Sequence, residues 1–182
     1  MRQKSFGTQC PFHWFRDNQE PTIEQMDNYL QQVWDYGKDW HDQFYQNEFT
    51  GASRCKFPFV EETICIVEVE NEIVKLCNNA LNTENDYTPH TKVEKHFIEY
   101  DVNTIAVEVP VFINDWSMYG HIDIVRFKDN KFEVWDYKNH LNGNVKSQLY
   151  CYMFMLSVRT QLPMTMFKAG YFTKDYAMEL IM

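Results

Sequence analysis

Residues 119–138 read YGHIDIVRFKDNKFEVWDYK, and this stretch predicts the centre of the fold. Two runs rich in β-branched and aromatic residues, 119–127 and 132–138, are typical of strands. Between them, Asp129-Asn130 favours a tight turn. The stretch therefore predicts a β-hairpin at the centre of a sheet.

Charged residues interrupt the apolar pattern of this hairpin. Asp123 lies inside the apolar run of the first strand, and Asp136 and Lys138 share a face with Val134 on the second. Asp and Lys are rarely buried unless an opposite charge, a metal or water accompanies them. Two carboxylates and a lysine converging from adjacent strands would suit Mg²⁺ or Mn²⁺, which prefer oxygen ligands. The alternative is a structural Asp136–Lys138 ion pair, and the hairpin alone favours it.

Apolar spacing predicts the remaining elements. The predicted helices cover 23–48, 60–81 and 145–158, and the predicted strands outside the hairpin cover 104–113 and 165–173. Thr22 and Gln25 are predicted to form a capping box before the first helix, while 66–70 also fits a strand. This order of elements predicts an α/β fold in which helices flank a mixed central β-sheet.

The composition is that of one globular domain. The 182 residues are 45% hydrophobic and 24% charged, and we expect one domain with a mostly helical part (1–100) and a sheet-and-helix part (101–182). No stretch approaches the roughly 18 apolar residues of a membrane span. The start lacks an apolar signal region, and five scattered cysteines favour a reduced cytoplasm. The net charge of −9 argues against binding nucleic acid through a broad basic surface.

Six short motifs follow one another along the chain. They are Ser5 with Cys10-Pro11, Gly37-x-x-x-His41, Glu108, Gly120-x-x-Asp123, Asp136-x-Lys138 and Gln148-x-x-x-Tyr152. In this order they resemble the PD-(D/E)XK nuclease superfamily, specifically its RecB-like branch with the CRISPR-associated RecB-like exonucleases. The resemblance covers residues 5–152 and implies a restriction-endonuclease-like core. The CRISPR-associated members bind an iron–sulfur cluster through four cysteines, of which the three C-terminal ones are missing here.

The resemblance implies roles for individual residues. It implies that the metal is held by His41, Asp123, Asp136 and the backbone carbonyl of Tyr137, that Lys138 serves the attacking water, and that Gln148 and Tyr152 organise the site and the DNA strand. Glu108 would join the site, although nearby Pro110 is typical of an edge strand, where an exposed Glu needs no explanation. A metal in such a site can acidify a bound water and neutralise charge on the phosphorus.

The leading interpretation is a Mg²⁺- or Mn²⁺-dependent deoxyribonuclease, with exonuclease action on DNA ends or single strands favoured. It would act in the cytoplasm, that of the host if the protein is viral, and a homo-oligomer is left open. Two alternatives remain: a catalytically weak DNA-binding or assembly module of the same fold, and an acidic protein-interaction module. Because bound cations reverse the local sign of the acidic site, the charge of −9 is compatible with local, metal-dependent contact with DNA.

Overall fold

The computed structural model of the chain describes residues 1–6, 10–15, 23–46, 64–114, 118–140 and 145–182, with only the backbone at 41 and 43–46. The strands in these ranges are β1 (Arg2–Ser5), β2 (Pro11–Trp14), β3 (Cys65–Val69), β4 (Thr104–Ile113), β5 (Met118–Lys128), β6 (Lys131–Tyr137), β7 (Phe167–Phe172) and β8 (Ala177–Ile181). The helices there are α1 (Glu24–Gln46), α2 (Glu72–Leu81), α3 (Pro89–Tyr100) and α4 (Val145–Thr160).

The strands form one mixed sheet in the order β1-β2-β4-β5-β6-β7-β8-β3. Strands β6 and β7 are parallel because α4 carries the chain back across the sheet between them, whereas the other strand pairs in the described ranges are antiparallel. The carboxyl ends of β6 and β7 therefore lie at the same edge. Within the described ranges, every helix is too short or too polar to cross a membrane.

Two apolar cores cover the two faces of the sheet. One contains Leu30 and Val33 of α1 and Leu149 and Leu156 of α4, packed against sheet residues that include Val134. The other is built from α2 and α3 on the opposite face, with the buried side chains Ile73, Cys77, Val93, Phe97, Trp135 and Phe172. The predicted mixed sheet flanked by helices is confirmed.

The central elements match the sequence prediction closely. The predicted strand 104–113 has the bounds of β4, and the predicted helices 23–48 and 145–158 correspond to α1 and α4. Asp129 and Asn130 form the hairpin turn with φ of 51° and 57°, as the tight turn requires. Thr22 of the predicted capping box, and the end of the first predicted helix at 47–48, lie outside the described residues.

The prediction of one helix over 60–81 is wrong in its described part. Residues Cys65–Val69 form β3, which pairs with β8, and α2 begins only at Glu72. Asn71 separates the two elements, because its side chain accepts a hydrogen bond from the backbone N–H of Ile73 and caps α2. The alternating apolar pattern of 66–70 was the correct signal, and strand pairing with β8 decided the outcome.

Helix α3 was not predicted, although it begins at a standard start signal. The hydroxyl of Thr88 accepts a hydrogen bond from the backbone N–H of Thr91 at 3.3 Å, and Pro89 occupies the first turn. The helix packs on the sheet through Val93 and Phe97. This arrangement brings His90, in the first turn of α3, against the middle of the sheet.

Strands β4 and β5 lose their regular alternation at the same level. Val107 packs with α2 and α3 but Val109 packs with α1 and α4, although residues two apart normally share a face. Ile124 and Ile122 are divided in the same way on β5. Between these pairs, Glu108 has a φ of 53°, in the left-handed region. The sheet is therefore irregular where it carries the carboxylates described below.

Candidate active site

The end of β6 presents an acid–base group supported by α4. Nζ of Lys138 lies 2.5 Å from Oδ2 of Asp136, whose side chain is almost fully buried. Gln148 of α4 contacts both residues: its Oε1 accepts from Lys138 at 3.3 Å, and its Nε2 donates to Oδ1 of Asp136 at 3.3 Å. Nε2 of Gln148 also lies 2.9 Å from Oη of Tyr152, one helical turn later. The helix thus fixes the orientation of the Asp136–Lys138 pair.

Gly120 allows α4 to come this close to β5. A Cβ atom at Gly120 would lie 2.5 Å from Cε1 of Tyr152, a separation that real Cβ atoms essentially never show. Any side chain at this position would push the Tyr152 ring away and disturb its contact with Gln148. The glycine is therefore required by the packing of the site.

Asp123 joins this group from the neighbouring strand. Its Oδ2 accepts a hydrogen bond from the backbone N–H of Tyr137 at 2.8 Å, between Asp136 and Lys138 in the chain. Its Oδ1 lies 3.8 Å from Nε2 of His90. Asp123 consequently connects the end of β6 to a second group of side chains carried by α3 and β4.

That second group has a histidine surrounded by carboxylates. Nε2 of His90 lies 2.7 Å from Oε1 of Glu94 and 3.2 Å from Oε1 of Glu108. Ligand atoms of His90, Glu94, Glu108 and Asp123 all lie within 4.8 Å of one another, close enough to hold one metal ion. His90 and Glu94 are one helical turn apart on α3, which places both on the face that covers the sheet.

Burial and mutual repulsion dominate the electrostatics of these groups. Burial raises the pKa of Asp123 well above its usual range, and the carboxylate of Asp136 adds to the effect. Burial also raises the pKa of Glu94 to about 9. Although burial alone would lower it, hydrogen bonds to Glu108 and Glu94 raise the pKa of His90 to about 11. Buried carboxyl groups are thus crowded in one place, and His90, His121 and Lys138 are among the neighbours that lower their pKa values.

These residues line one cavity of about 370 Å³. Its walls are His90, Glu108, Tyr119, Gly120, His121, Asp123, Asp136, Tyr137, Lys138, Gln148 and Tyr152. Three buried carboxylates and two imidazoles around one space form a donor set of mostly hard oxygen atoms, which fits a divalent cation such as Mg²⁺ or Mn²⁺. A cation there would lower the pKa of Asp123, which burial and, secondarily, the carboxylate of Asp136 raise.

A protein-family model for the PD-(D/E)XK nuclease superfamily matches residues 5–178. The chain belongs to the PD-(D/E)XK nuclease superfamily. A search of curated proteins and a search of solved structures each found no match. Members of this superfamily are mostly nucleases that use divalent metals, in agreement with the carboxylate cluster.

The structure brings most of the predicted site residues of this PD-(D/E)XK chain around the same cavity. They are Glu108, Asp123, Asp136, Tyr137, Lys138, Gln148 and Tyr152. The edge-strand alternative for Glu108 is wrong: β4 lies between β2 and β5, and the Glu108 residue is only 8% exposed. The backbone at His41 is helical, but the side chain lies outside the described residues, so its role as a ligand stays a prediction.

Sequence reasoning missed His90 and Glu94. The signal was present as a capping Thr-Pro pair followed by His and Glu at a four-residue spacing, immediately before the three-stranded part of the sheet. A helix predicted there would have placed both side chains on its inner face. The sequence did not reveal that the N-terminal turn of this helix, and not only its middle, reaches the sheet.

Proposed function

We propose that the protein is a Mg²⁺- or Mn²⁺-dependent deoxyribonuclease of the RecB-like type that hydrolyses phosphodiester bonds at DNA ends or in single strands. The observation that carries the proposal is the convergence of Asp123, Asp136 and Lys138, from two paired strands, on one cavity. A binding module of this fold has no need for a lysine held 2.5 Å from a buried carboxylate at that cavity. Membership of the superfamily supports the same chemistry.

The metal ligands that we propose are Asp123, Asp136, Glu108, His90 and the carbonyl of Tyr137. When bound, a divalent cation would polarise the phosphodiester and lower the pKa of a bound water. The proposed ligands come from both faces of the sheet. His90 is carried by α3 on one face, and Asp136 lies on the face covered by α4. Glu94 is a further candidate ligand, since its Oε1 lies 2.7 Å from the same Nε2 of His90 that faces Glu108 and Asp123.

Lys138 is the proposed partner of the attacking water. Its side chain is one-fifth exposed, and its ammonium group lies between Asp136 and the amide of Gln148, so it reaches the cavity while staying oriented. From this position it can donate to the nucleophile or to a phosphate oxygen, and it offsets charge that develops on the phosphate. Gln148 and Tyr152 hold this geometry and are proposed to contact the substrate strand.

An opening lined by carboxylates suits a strand that enters when metal is bound, which favours ends and single strands over broad binding of duplex. We propose action in the cytoplasm, supported by the free thiols of Cys10, Cys65, Cys77 and Cys151.

The test is a cleavage assay on single-stranded, duplex, linear and circular DNA with Mg²⁺, Mn²⁺ or EDTA. We expect degradation of linear or single-stranded DNA with either metal and none with EDTA. Asp123→Asn and Lys138→Ala should each reduce the rate at least about 100-fold. Lys168→Ala is the matched control, since Lys168 is exposed on β7 beyond the site and should leave the rate unchanged.

Three outcomes would count against the proposal. Full activity of Asp123→Asn or Lys138→Ala would remove the site assignment. Binding without cleavage under every metal condition would favour the catalytically weak binding module. Cleavage of RNA in preference to DNA would change the substrate while keeping the site.

A further inference from the structure

A second cavity of about 230 Å³ adjoins the candidate active site. Tyr137 and Lys138 line both cavities, so the two spaces meet at the end of β6. The other walls of the second cavity come from 139–140, just after β6, and from the turn at 173–176 between β7 and β8. Both segments follow parallel strands at the same edge of the sheet, where α/β sheets commonly bind ligands.

The second cavity differs from the first in charge. The first is lined by three carboxylates, those of Glu108, Asp123 and Asp136, whereas the second, which shares Lys138 with it, has Lys174, His140 and a single carboxylate. That carboxylate, Asp175, lies 3.5 Å from Lys174, but both side chains are about two-thirds exposed. An ion pair so exposed contributes little free energy, so Lys174 can exchange Asp175 for another anion.

The turn that carries Lys174 is held in place by hydrogen bonds. Oγ1 of Thr173 accepts from the backbone N–H of Asp175 at 3.1 Å and from that of Tyr176 at 3.2 Å. Nδ2 of Asn78, on α2, donates to the carbonyl of Lys174 at 2.6 Å. The facing wall is fixed as well, because the backbone N–H of Lys138 donates to the carbonyl of Phe172 at 2.9 Å. The cations are therefore presented by a preorganised frame.

We propose that the second cavity binds a phosphate group of the nucleic acid strand next to the phosphodiester held in the first cavity, with Lys174 and His140 as the contacting side chains. The inference rests on the proposed function and adds a subsite to it. The volume of about 230 Å³ is below that of pockets for drug-sized ligands, and it suits one backbone phosphate with its sugar. A metal-independent subsite with an exposed, exchangeable lysine also explains how an acidic chain retains a strand beside an acidic centre.

The first experiment measures binding without relying on cleavage. The affinity of a fluorescent single-stranded oligonucleotide is measured by anisotropy in Ca²⁺ at several salt concentrations, for the wild type, Lys174→Ala, Lys174→Arg, Lys168→Ala and His140→Ala, the last of which should also bind more weakly than the wild type. We expect Lys174→Ala to bind about tenfold more weakly, with the slope of log K against log salt reduced by about 0.7. Lys174→Arg should restore binding, and Lys168→Ala should match the wild type.

The second experiment locates the phosphate. An uncharged methylphosphonate linkage is moved one position at a time along the oligonucleotide. When the uncharged linkage replaces the phosphate that Lys174 contacts, the wild type should bind more weakly. The affinity of Lys174→Ala should not fall further at that position, because this variant already lacks the lysine–phosphate contact.

The outcomes separate this inference from the proposed function. If the wild type cleaves DNA but Lys174→Ala and His140→Ala keep its affinity and salt slope, only the subsite is overturned. A methylphosphonate scan that weakens both proteins equally at every position would also overturn the subsite alone. If the wild type neither binds nor cleaves any oligonucleotide, both proposals fall.

Discussion

The backbone N–H of Tyr137 donates a hydrogen bond to Oδ2 of Asp123 over 2.8 Å. The bond joins β6 to β5 at the site and leaves Oδ1 of Asp123 directed toward His90, 3.8 Å from its Nε2. One carboxylate thus fixes the pairing of the strands with one oxygen and belongs to the acidic cluster with the other. The structural role of Oδ2 and the role of Oδ1 in the acidic cluster can be separated by substitution.

The variants Asp123→Asn and Asp123→Ala should differ in stability, although both remove the carboxylate. The amide oxygen of Asp123→Asn can still accept from Tyr137, whereas Asp123→Ala leaves this buried N–H without an acceptor. We expect the free energy of unfolding of Asp123→Ala to be lower than that of Asp123→Asn by about 1–3 kcal/mol. Urea denaturation in EDTA measures this difference, and the same pair of substitutions at exposed Asp86 is the control. Equal stability of the two variants at 123 would contradict a structural role for the bond.

Gln148 should matter for catalysis without mattering for the fold. Its amide contacts Lys138, Asp136 and Tyr152, so Gln148→Leu would leave the lysine free to change its orientation. We expect the cleavage rate to fall about 10- to 100-fold. Val158→Ala, at an exposed position of the same helix, should keep the wild-type rate. An unchanged rate in Gln148→Leu would mean that Asp136 alone positions Lys138.

Metal binding should depend on His90. Ligand binding raises the free energy of unfolding by about 2.7 kcal/mol at a concentration 100 times Kd, so Mn²⁺ should raise the thermal midpoint of the wild type. In His90→Ala this shift should shrink because the cluster loses its imidazole. His96→Ala, on the same helix but with its ring against that of Tyr100, 4.9 Å between centroids, should keep the full shift. His41→Ala tests the ligand that the sequence resemblance implies, and a full shift in His90→Ala would contradict our assignment.

A separate ion network should make stability depend on pH. Arg126 is fully buried, and its guanidinium contacts Asp101 at 2.7 Å, Glu133 at 2.7 Å and Glu72 at 2.5 Å. Hydrogen bonds from Lys128 and Arg126 lower the pKa of Glu72. Because a lowered carboxyl pKa stabilises the fold only while the group is ionised, this contribution is present above the unfolded-state pKa of about 4.3 and is lost as the pH falls below it.

Glu72→Gln should therefore destabilise the protein at pH 7 but hardly at pH 3. We expect a modest difference of at most about 1 kcal/mol at pH 7, since the Glu72 side chain is 45% exposed. Glu84→Gln, at an exposed position, should follow the wild type at both pH values. Denaturation at the two pH values measures the effect, and a difference that grows toward pH 3 would have the wrong sign.

The central hairpin and its charges could be predicted because they depend on local sequence. The turn at Asp129-Asn130 requires residues that tolerate positive φ, and the alternation of β6 places Asp136 on the face of Val134. The charges inside apolar runs then marked the site. These features lie within about 20 residues of one another, so tertiary context did not alter them.

The parts that were missed depend on contacts distant in the chain. Strand β3 forms through pairing with β8, more than 100 residues later, which overrides the helical spacing of 60–81. His90 becomes a candidate ligand only because α3 packs across β4 and β5. The left-handed conformation of Glu108 breaks the alternation from which faces are assigned. A period-two pattern therefore could not give the direction of this side chain.

Substitutions at Glu108 should show how much its left-handed backbone conformation lowers the free energy of unfolding. Its φ of 53° is unfavourable for residues with a Cβ atom, by about 1–2 kcal/mol. In ordinary strand positions Gly is less stable than Ala, by roughly 0.5–1 kcal/mol. We expect the opposite order at 108, with Glu108→Gly more stable than Glu108→Ala.

Both variants remove the carboxylate, so their difference in free energy of unfolding isolates the backbone conformation from the charge cluster. Val67→Gly and Val67→Ala in β3 provide the control and should show the ordinary order. Both variants at 108 should also lose most of the Mn²⁺ shift. Greater stability of Glu108→Ala would show that the strand relaxes without the carboxylate, so that the left-handed conformation follows from the cluster and is not set by the sheet. Greater stability of Glu108→Gly would show that the sheet imposes it, and that the chain keeps a side chain there at the expense of stability.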